Sequence, residues 1–475
     1  MTVPGPAWTT EVTVVGAGPA GLMAALGAAR AGHQVTVLEA AGRVGGMAGS
    51  FEVAGQRVDF GSHRLHPSIA PDLRAEVEAL LGDDLQIRPR HGRINLQGRW
   101  VPFPFGPTDL VTGLPPAFAA RVVRDTALAP LRRPREDTFS EVVRAGLGPT
   151  ILEEFYEPYA RKLWDTDPKQ LAGELARRRV SARGPLDLVK KAVRRGEHPG
   201  RSFLYPRTGF GTISERLADA AVEAGAELCL GTRVEAVDLE PGFTTQVEVR
   251  TVGDGEIGRT LTGNRIWSTA PLAALAHMVS PPPPPAALEA AGRLQHRAMV
   301  LVYLVLDRPR WTEFDAHYFP SLDVPVARIS EVKNYRDSGD DPSGQTVLCA
   351  EIACWKGDDT WNAEAAHLGA LVADSLERLG LPDARPVHTE VVRLPHVYPV
   401  YRPGFEADLA ELEAWAAQHH RLQVFGRQGL FVADNTHHAL AMGQAAARCL
   451  QPQAAFDQAG WLQARDGFRE HVVED

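Results

Sequence analysis

The chain has 475 residues, with 50 Lys and Arg against 59 Asp and Glu, giving a formal charge of −9 with neutral histidines. That length suits two or three domains with ample core, and 44 % hydrophobic with 23 % charged residues excludes wholesale disorder. The acidic balance argues against coating nucleic acid, which needs a basic face. Cys229, Cys349, Cys354 and Cys449 show neither zinc spacing nor a disulfide framework. A reducing, cytoplasmic setting is expected, with no metal site. Residues 12–29 are uncharged and largely apolar, but no Lys or Arg precedes them and the run is rich in glycine. Neither a signal peptide nor an integral membrane segment is therefore expected.

The first fifty residues carry the pattern of a dinucleotide site. Glu11-Val12-Thr13-Val14-Val15 reads as a buried strand, and it runs into Gly16-Ala17-Gly18-Pro19-Ala20-Gly21 and then a helical stretch from Leu22. Gly16 permits the tight turn, Gly18 admits a pyrophosphate to the backbone, and Gly21 allows close helix–strand packing. The helix N-terminus offers unpaired N–H groups to the phosphates. A second strand, Gln34 to Leu38, ends at Glu39, about 20 residues past the turn and placed to accept hydrogen bonds from a ribose. Strand, glycines, helix, strand and acid fall in the required order, which a merely structural glycine turn does not demand.

Ala40-Ala41-Gly42-Arg43-Val44-Gly45-Gly46-Met47-Ala48-Gly49-Ser50 follows. This run resembles the second glycine motif of the flavoprotein superfamily of amine oxidases, protoporphyrinogen oxidase, phytoene desaturases and UDP-galactopyranose mutase. The resemblance implies FAD, with Pro19, Ala20, Glu39, Ala40, Arg43, Gly45, Gly46 and Met47 near it; Met47 stands where the family often has Arg. Val58 to Pro67 is similar to the family segment beside the flavin ring, which implies Gly61, Ser62 and His63 at the cofactor. The pair His63 and His66 resembles the mutase form. Either histidine could equally be a satisfied core or loop residue, although neutral-pH titration suits proton traffic near a flavin.

From Thr108 to about Val193 the pattern is helical, broken by Pro115-Pro116 and by the basic loop 131–135. Within it, Phe155 to Trp164 resembles a mutase segment whose aromatics face substrate, implying Tyr159 and Trp164; the plainer reading makes both core residues. Arg177, Arg178, Arg179 and Arg183, with Lys190, Lys191, Arg194 and Arg195, form a basic cluster in an acidic chain. It reads as a solvated helix face or as recognition of an anionic substrate.

Phe203 to Thr212 is similar to the family stretch that returns to the cofactor domain, and a helix is expected over 213–224. The resemblance then implies backbone contact with adenine at Val234 and a strand reaching the nucleotide at Ala270. Pro281 to Pro285 predict a stiff extended linker. Residues 298–306 and 346–353 read as central strands of a second sheet, followed by a helix over 363–379, with Tyr398 and Tyr401 as candidate substrate aromatics. Leu422 to Gly443 resembles the closing FAD motif, a strand ending at Gly426 and a helix starting near Asn435. That implies Gly426, Arg427, Asp434, Asn435 and Thr436 at the flavin, where a helix N-terminus stabilises negative charge. Phe431-Val432-Ala433 lack the tyrosines that mutases carry there.

The expected architecture is α/β: a Rossmann-like FAD domain from 1–68, 201–285 and 407–475, and a substrate domain from a helical cap, 69–200, and a mixed sheet, 286–406. The leading expectation is an FAD-dependent oxidoreductase passing hydride from a small molecule, with an anionic one among the candidates, to flavin N5. No second dinucleotide motif is visible, so oxygen or another acceptor would reoxidise the flavin. The alternative is a non-redox flavoenzyme resembling UDP-galactopyranose mutase. Oligomeric state is not legible.

Overall fold

In the computed structural model, which describes residues 8–103, 113–179, 202–239, 245–251 and 259–473, the β-branched opening run forms strand β1 (Trp8–Val15). Helix α1 (Pro19–Arg30) and strand β2 (Val35–Leu38) follow at the expected places. A hairpin, β3 (Ser50–Val53) and β4 (Gln56–Asp59), leads past Gly61 to helix α2 (Pro71–Leu81). Strands β5 (Leu85–Pro89), β6 (Gly92–Leu96) and β7 (Arg99–Phe103) precede the helices α3 (Pro116–Leu128), α4 (Phe139–Leu147), α5 (Glu157–Trp164) and α6 (Gly173–Arg179). Then come β8 (Ser202–Pro206), α7 (Thr212–Glu223), β9 (Glu227–Cys229), β10 (Thr232–Asp238), β11 (Thr245–Thr251), β12 (Arg259–Ser268) and β13 (Val279–Ser280). Helix α8 (Pro285–Arg293) opens the next stretch, with β14 (His296–Leu306), β15 (Ala316–Tyr318), β16 (Arg328–Glu331), β17 (Thr346–Cys354), helix α9 (Ala365–Arg378) and β18 (His388–Pro399). The chain closes with α10 (Phe405–Ala417), β19 (Leu422–Val424), α11 (Thr436–Arg448) and α12 (Gln458–Phe468).

Two sheets organise these elements. The first has the order β13-β10-β11-β12-β1-β2-β9, with β19 pairing β12. Around the glycine turn it is parallel: β1 lies between β12 and β2, and β19 continues beside β12. Helices α1, α7 and α11 cover one face and share a core with Trp267 and Phe425. The second sheet runs β18-β14-β17-β16-β15-β6-β7 and is antiparallel through its centre. β14 is apolar along its length because α9 packs on one of its faces and the β3–β4 hairpin on the other.

Two expectations change. Segment 69–200 is not uniformly a helical cap: Leu73, Val77 and Leu81 of α2 join the first core, β5 pairs with β8, and β6 and β7 extend the second sheet. Periodic apolar positions specify a buried face without saying which lobe buries it. The five prolines are not wholly a linker either. Pro285 is the first residue of α8, a position where a missing N–H costs nothing. The helical pattern beyond Arg179, with Arg183, Lys190, Lys191, Arg194 and Arg195, lies outside the described residues. Among the described residues no helix is long and apolar enough to cross a membrane.

Candidate active site

Between the glycine turn and the second sheet lies a cleft of about 400 Å³. Gly16 has φ +102°, and a Cβ there would stand 2.3 Å from Thr269 Oγ1. Gly21 is close-packed too, since its Cβ would lie 2.1 Å from the Gly16 carbonyl oxygen. Gly18 differs: a Cβ there meets no protein atom within 4 Å. The turn thus presents bare backbone and open space at Gly18, while α1 starts at Pro19 with no side-chain cap on its first N–H groups. Unpaired N–H groups and the helix dipole make an anion cradle. Gly46 closes it from the other side, 3.7 Å from the Gly18 Cα as measured from the Cβ it lacks.

Glu39 is fixed beside this cradle. Its Oε2 accepts from the Ala17 N–H and its Oε1 from the Ala41 N–H, each at 2.8 Å. Each oxygen keeps a lone pair for a hydroxyl donor. On the far wall, Asn435, Thr436 and Ala439 bring the N-terminus of α11 to the cleft. These features fit FAD: a cradle that a side chain would fill, a fixed carboxylate for a ribose, and a second helix N-terminus for an electron-rich ring edge.

The loop after β4 joins the two lobes. Asp59 is fully buried and accepts from Ser50 Oγ (2.6 Å), Tyr205 OH (2.5 Å) and the Phe210 N–H (3.0 Å). Tyr303 of β14 donates to the Asp59 carbonyl at 2.6 Å. Three residues on, the Ser62 N–H donates to Glu351 Oε1 at 2.9 Å, and Arg328 donates to both Glu351 oxygens at 2.8 and 2.9 Å. Burial disfavours the Arg328 charge, yet Glu351 holds its pKa well above the ordinary value. His63 points Nε2 at the Phe60 carbonyl, 2.9 Å away, and stacks on Phe210. A carbonyl can only accept, so Nε2 carries the proton and Nδ1 is left as an acceptor. Burial lowers the His63 pKa against the opposing pull of Asp59, which keeps the ring neutral near pH 7.

Beyond the loop the cleft is apolar on one side, at Met299, Leu301, Leu394 and Val397, and cationic on the other. Arg427 donates to the carbonyls of Asp434 (2.6 Å) and Val397 (2.8 Å). Arg179 lies over the rings of Tyr398 (4.8 Å) and Trp164 (5.2 Å). Among the described residues neither guanidinium has a carboxylate partner, and the Nε of each is buried with no acceptor. Burial and the neighbouring Arg179 both lower the Arg427 pKa. Tyr159 lines the same region, and burial raises its phenol well above 10, so it stays a donor.

The cleft gathers Gly16, Gly18, Pro19, Ala20, Glu39, Gly45, Gly46, Met47, Gly61, Ser62, His63, Tyr159, Ala270, Gly426, Arg427, Asp434, Asn435 and Thr436. Six expected residues stand off its wall. Gly21 packs the turn, and Arg43 sits 3.7 Å over the Phe60 ring. Ala40 lies beyond Glu39, and Val234 is buried in the core of the first sheet. Trp164 is a core residue, 2 % exposed, with its indole N–H on the Pro399 carbonyl at 3.1 Å. His66 is buried and turned to Ser68 Oγ at 2.7 Å. Tyr398 is on the wall, whereas Tyr401 is buried and donates to the Phe431 carbonyl. Sequence reasoning missed Arg64, Arg328, Glu351 and Tyr318. The available signal was Glu351 itself, a lone carboxylate inside an apolar strand, which demands a buried partner.

Comparison with known proteins accounts for this arrangement. Residues 19–450 match the family described as flavin containing amine oxidoreductase. A Mycobacterium tuberculosis protein assigned as the flavin-containing monoamine oxidase AofH is 28 % identical over 326 residues, covering 65 % of this chain and 67 % of that protein. Polyamine oxidase 1 of Oryza sativa subsp. japonica is 31 % identical over 320 residues, 60 % of this chain and 59 % of its own. In fold, a reduced UDP-galactopyranose mutase superposes with TM-score 0.78 at 19 % identity, covering 98 % of this chain and 100 % of the mutase. The α/β architecture, the FAD requirement and the oxidoreductase class follow from these matches and from the cradle together. The chain belongs to the flavin-containing amine oxidoreductase family.

Proposed function

We propose that the protein oxidises a small molecule bearing a carboxylate or phosphate, passing hydride from a substrate C–H to the flavin. Bound FAD supplies a hydride acceptor at N5, and oxygen or another acceptor restores it. The observation that carries the anionic reading is the pair Arg179 and Arg427, half-buried, mutually close, each with a buried Nε that finds no acceptor, and in no ion pair among the described residues. An unpaired buried guanidinium is costly, and an anion on the substrate offsets that cost. A protonated amine at the same place would meet like charge. The apolar wall at Leu301 and Leu394 excludes water and sets the substrate skeleton against the ring. As the substrate carbon loses hydride, neutral His63, with Nδ1 open, takes the proton from the O–H or N–H that this carbon bears, leaving a carbonyl or imine. Tyr159, held protonated, donates a hydrogen bond to the substrate.

Anaerobic mixing with panels of carboxylates, phosphates and amines tests this reading. Loss of flavin absorbance is expected with anionic compounds, and Arg427→Gln should raise KM for them by roughly 10²-fold, the worth of a charge-assisted contact. Turnover that requires prior reduction of the flavin and leaves its oxidation state unchanged over a cycle would overturn the redox reading. Bleaching by simple amines that is indifferent to Arg427→Gln would overturn the anionic one.

A further inference from the structure

Helix α3 buries one face and leaves the other without a packing partner among the described residues. Phe118 packs inward with Ile94, Val101 and Tyr318. The outer face and the turn after it carry Val123, Leu128 and Leu131 at 62, 43 and 81 % exposure. These are three of the nine exposed large hydrophobic residues among the described residues, gathered into nine consecutive positions. Exposed Ala117, Ala120 and Ala127 continue the same stripe at steps of three and four.

The exposed charge beside this stripe is mostly basic, four arginines against Glu136 and Asp137. Arg121, Arg124, Arg133 and Arg135 are all exposed. The acids on α3 do not face out with them: Asp125 is fully buried, taking Arg124, Arg132 and the Thr150 N–H. Glu154 reaches Arg121 at 2.9 Å from a neighbouring helix. Glu136 and Asp137 follow the turn, and Asp137 is occupied by Arg177 at 2.6 Å. Arg121 and Arg124 are thus ion-paired, while Arg133 and Arg135, in no ion pair among the described residues, stand exposed beside the protruding aliphatic side chains on a chain of charge −9.

We propose that this face docks on the surface of a membrane containing anionic lipid. Aliphatic side chains standing singly off a helix suit shallow insertion among acyl chains, and arginines beside them meet headgroup phosphates. The patch carries no exposed aromatic residue, the anchor type that dominates protein interfaces. On an acidic body, a local basic face also orients approach, turning α3 toward an anionic surface. Attachment is peripheral and does not depend on how the cleft is read.

Cosedimentation of the FAD-loaded full chain with extruded vesicles tests the proposal, using phosphatidylcholine alone and with about 30 % phosphatidylserine. Partitioning roughly tenfold stronger into the anionic vesicles is expected, falling as salt shortens the Debye length. Val123→Asp/Leu131→Asp should lose that binding, and Arg133→Gln/Arg135→Gln should weaken it several-fold and flatten its salt dependence. Both variants change exposed positions and should keep the wild-type melting temperature. Equal binding to the two vesicles, or no binding to either, would overturn the proposal. So would undiminished binding by the aspartate variant. A dimer that Leu131→Asp dissociates, in a chain indifferent to vesicles, would reassign the face to a second copy.

Discussion

Glu351 and Arg328 pair at the seam between the loop after β4 and the second sheet, with Glu351 only 4 % exposed. Removing one partner of a buried pair leaves an uncompensated ion, a loss of about 3–5 kcal/mol. Glu351→Gln should therefore lower the thermal midpoint sharply, and replacing both residues with leucine should recover much of the loss. A double variant as unstable as the single one would show that the pair is not what stabilises the seam. His63 makes a different prediction. Its ring contacts are local, so His63→Ala should retain FAD and melt near the wild-type temperature while turnover slows by roughly 10²-fold or more, the usual worth of a general base. Unchanged kinetics would remove it from the reaction. At this scale the glycines and Glu39 were legible because their chemistry is sequence-local. Arg328 and Glu351 were not, because they meet only through the pairing of β16 with β17.

Helices α1 and α11 both aim their N-termini at the cleft, and they lie against each other along glycine contacts. A Cβ on Gly443 would stand 2.1 Å from the Ala20 carbonyl oxygen, and one on Gly27 would stand 2.5 Å from Ala447 Cβ. Overpacking of this kind costs about 1–3 kcal/mol. Gly443→Val should both destabilise the fold and loosen FAD, measured as a lower melting temperature and a raised dissociation constant. Gly18→Val separates these effects. Its side chain meets no protein atom, so the apoprotein should melt unchanged and purify colourless. A yellow Gly18→Val preparation would move the phosphate cradle elsewhere. Element boundaries were readable where glycine and proline open a helix together, as at Gly18 and Pro19, but not at Pro285, where a run of prolines reads as a linker. Membership of a lobe was not readable for α2, whose amphipathic pattern is satisfied by any apolar surface.

Besides His63, the described fold keeps His296 and His317 neutral in its interior. Burial pushes His317, set among Trp100, Trp311 and Phe314, down to about 3, and does the same to His296. Above pH 6.5 both folded and unfolded chains leave these rings neutral, so their full stability is present there. As pH falls below 6.5 the unfolded chain takes up protons that the fold refuses until about 3, and stability declines. For His317 alone the loss between pH 6.5 and 5 is about 2 kcal/mol. Urea midpoints across that range should fall, and His317→Phe should flatten the slope. A wild-type midpoint constant from pH 7 to 5 would contradict this.

The cradle at Gly18 and the helix start at Asn435 are separated by more than 400 residues of chain yet face one another across the cleft. While a nascent polypeptide emerges from the ribosome, the first half of that grip is exposed long before its counterpart has been synthesised. Capture of the coenzyme is thus an event of the finished chain, and cells short of flavin would accumulate full-length protein awaiting it rather than truncated products already loaded.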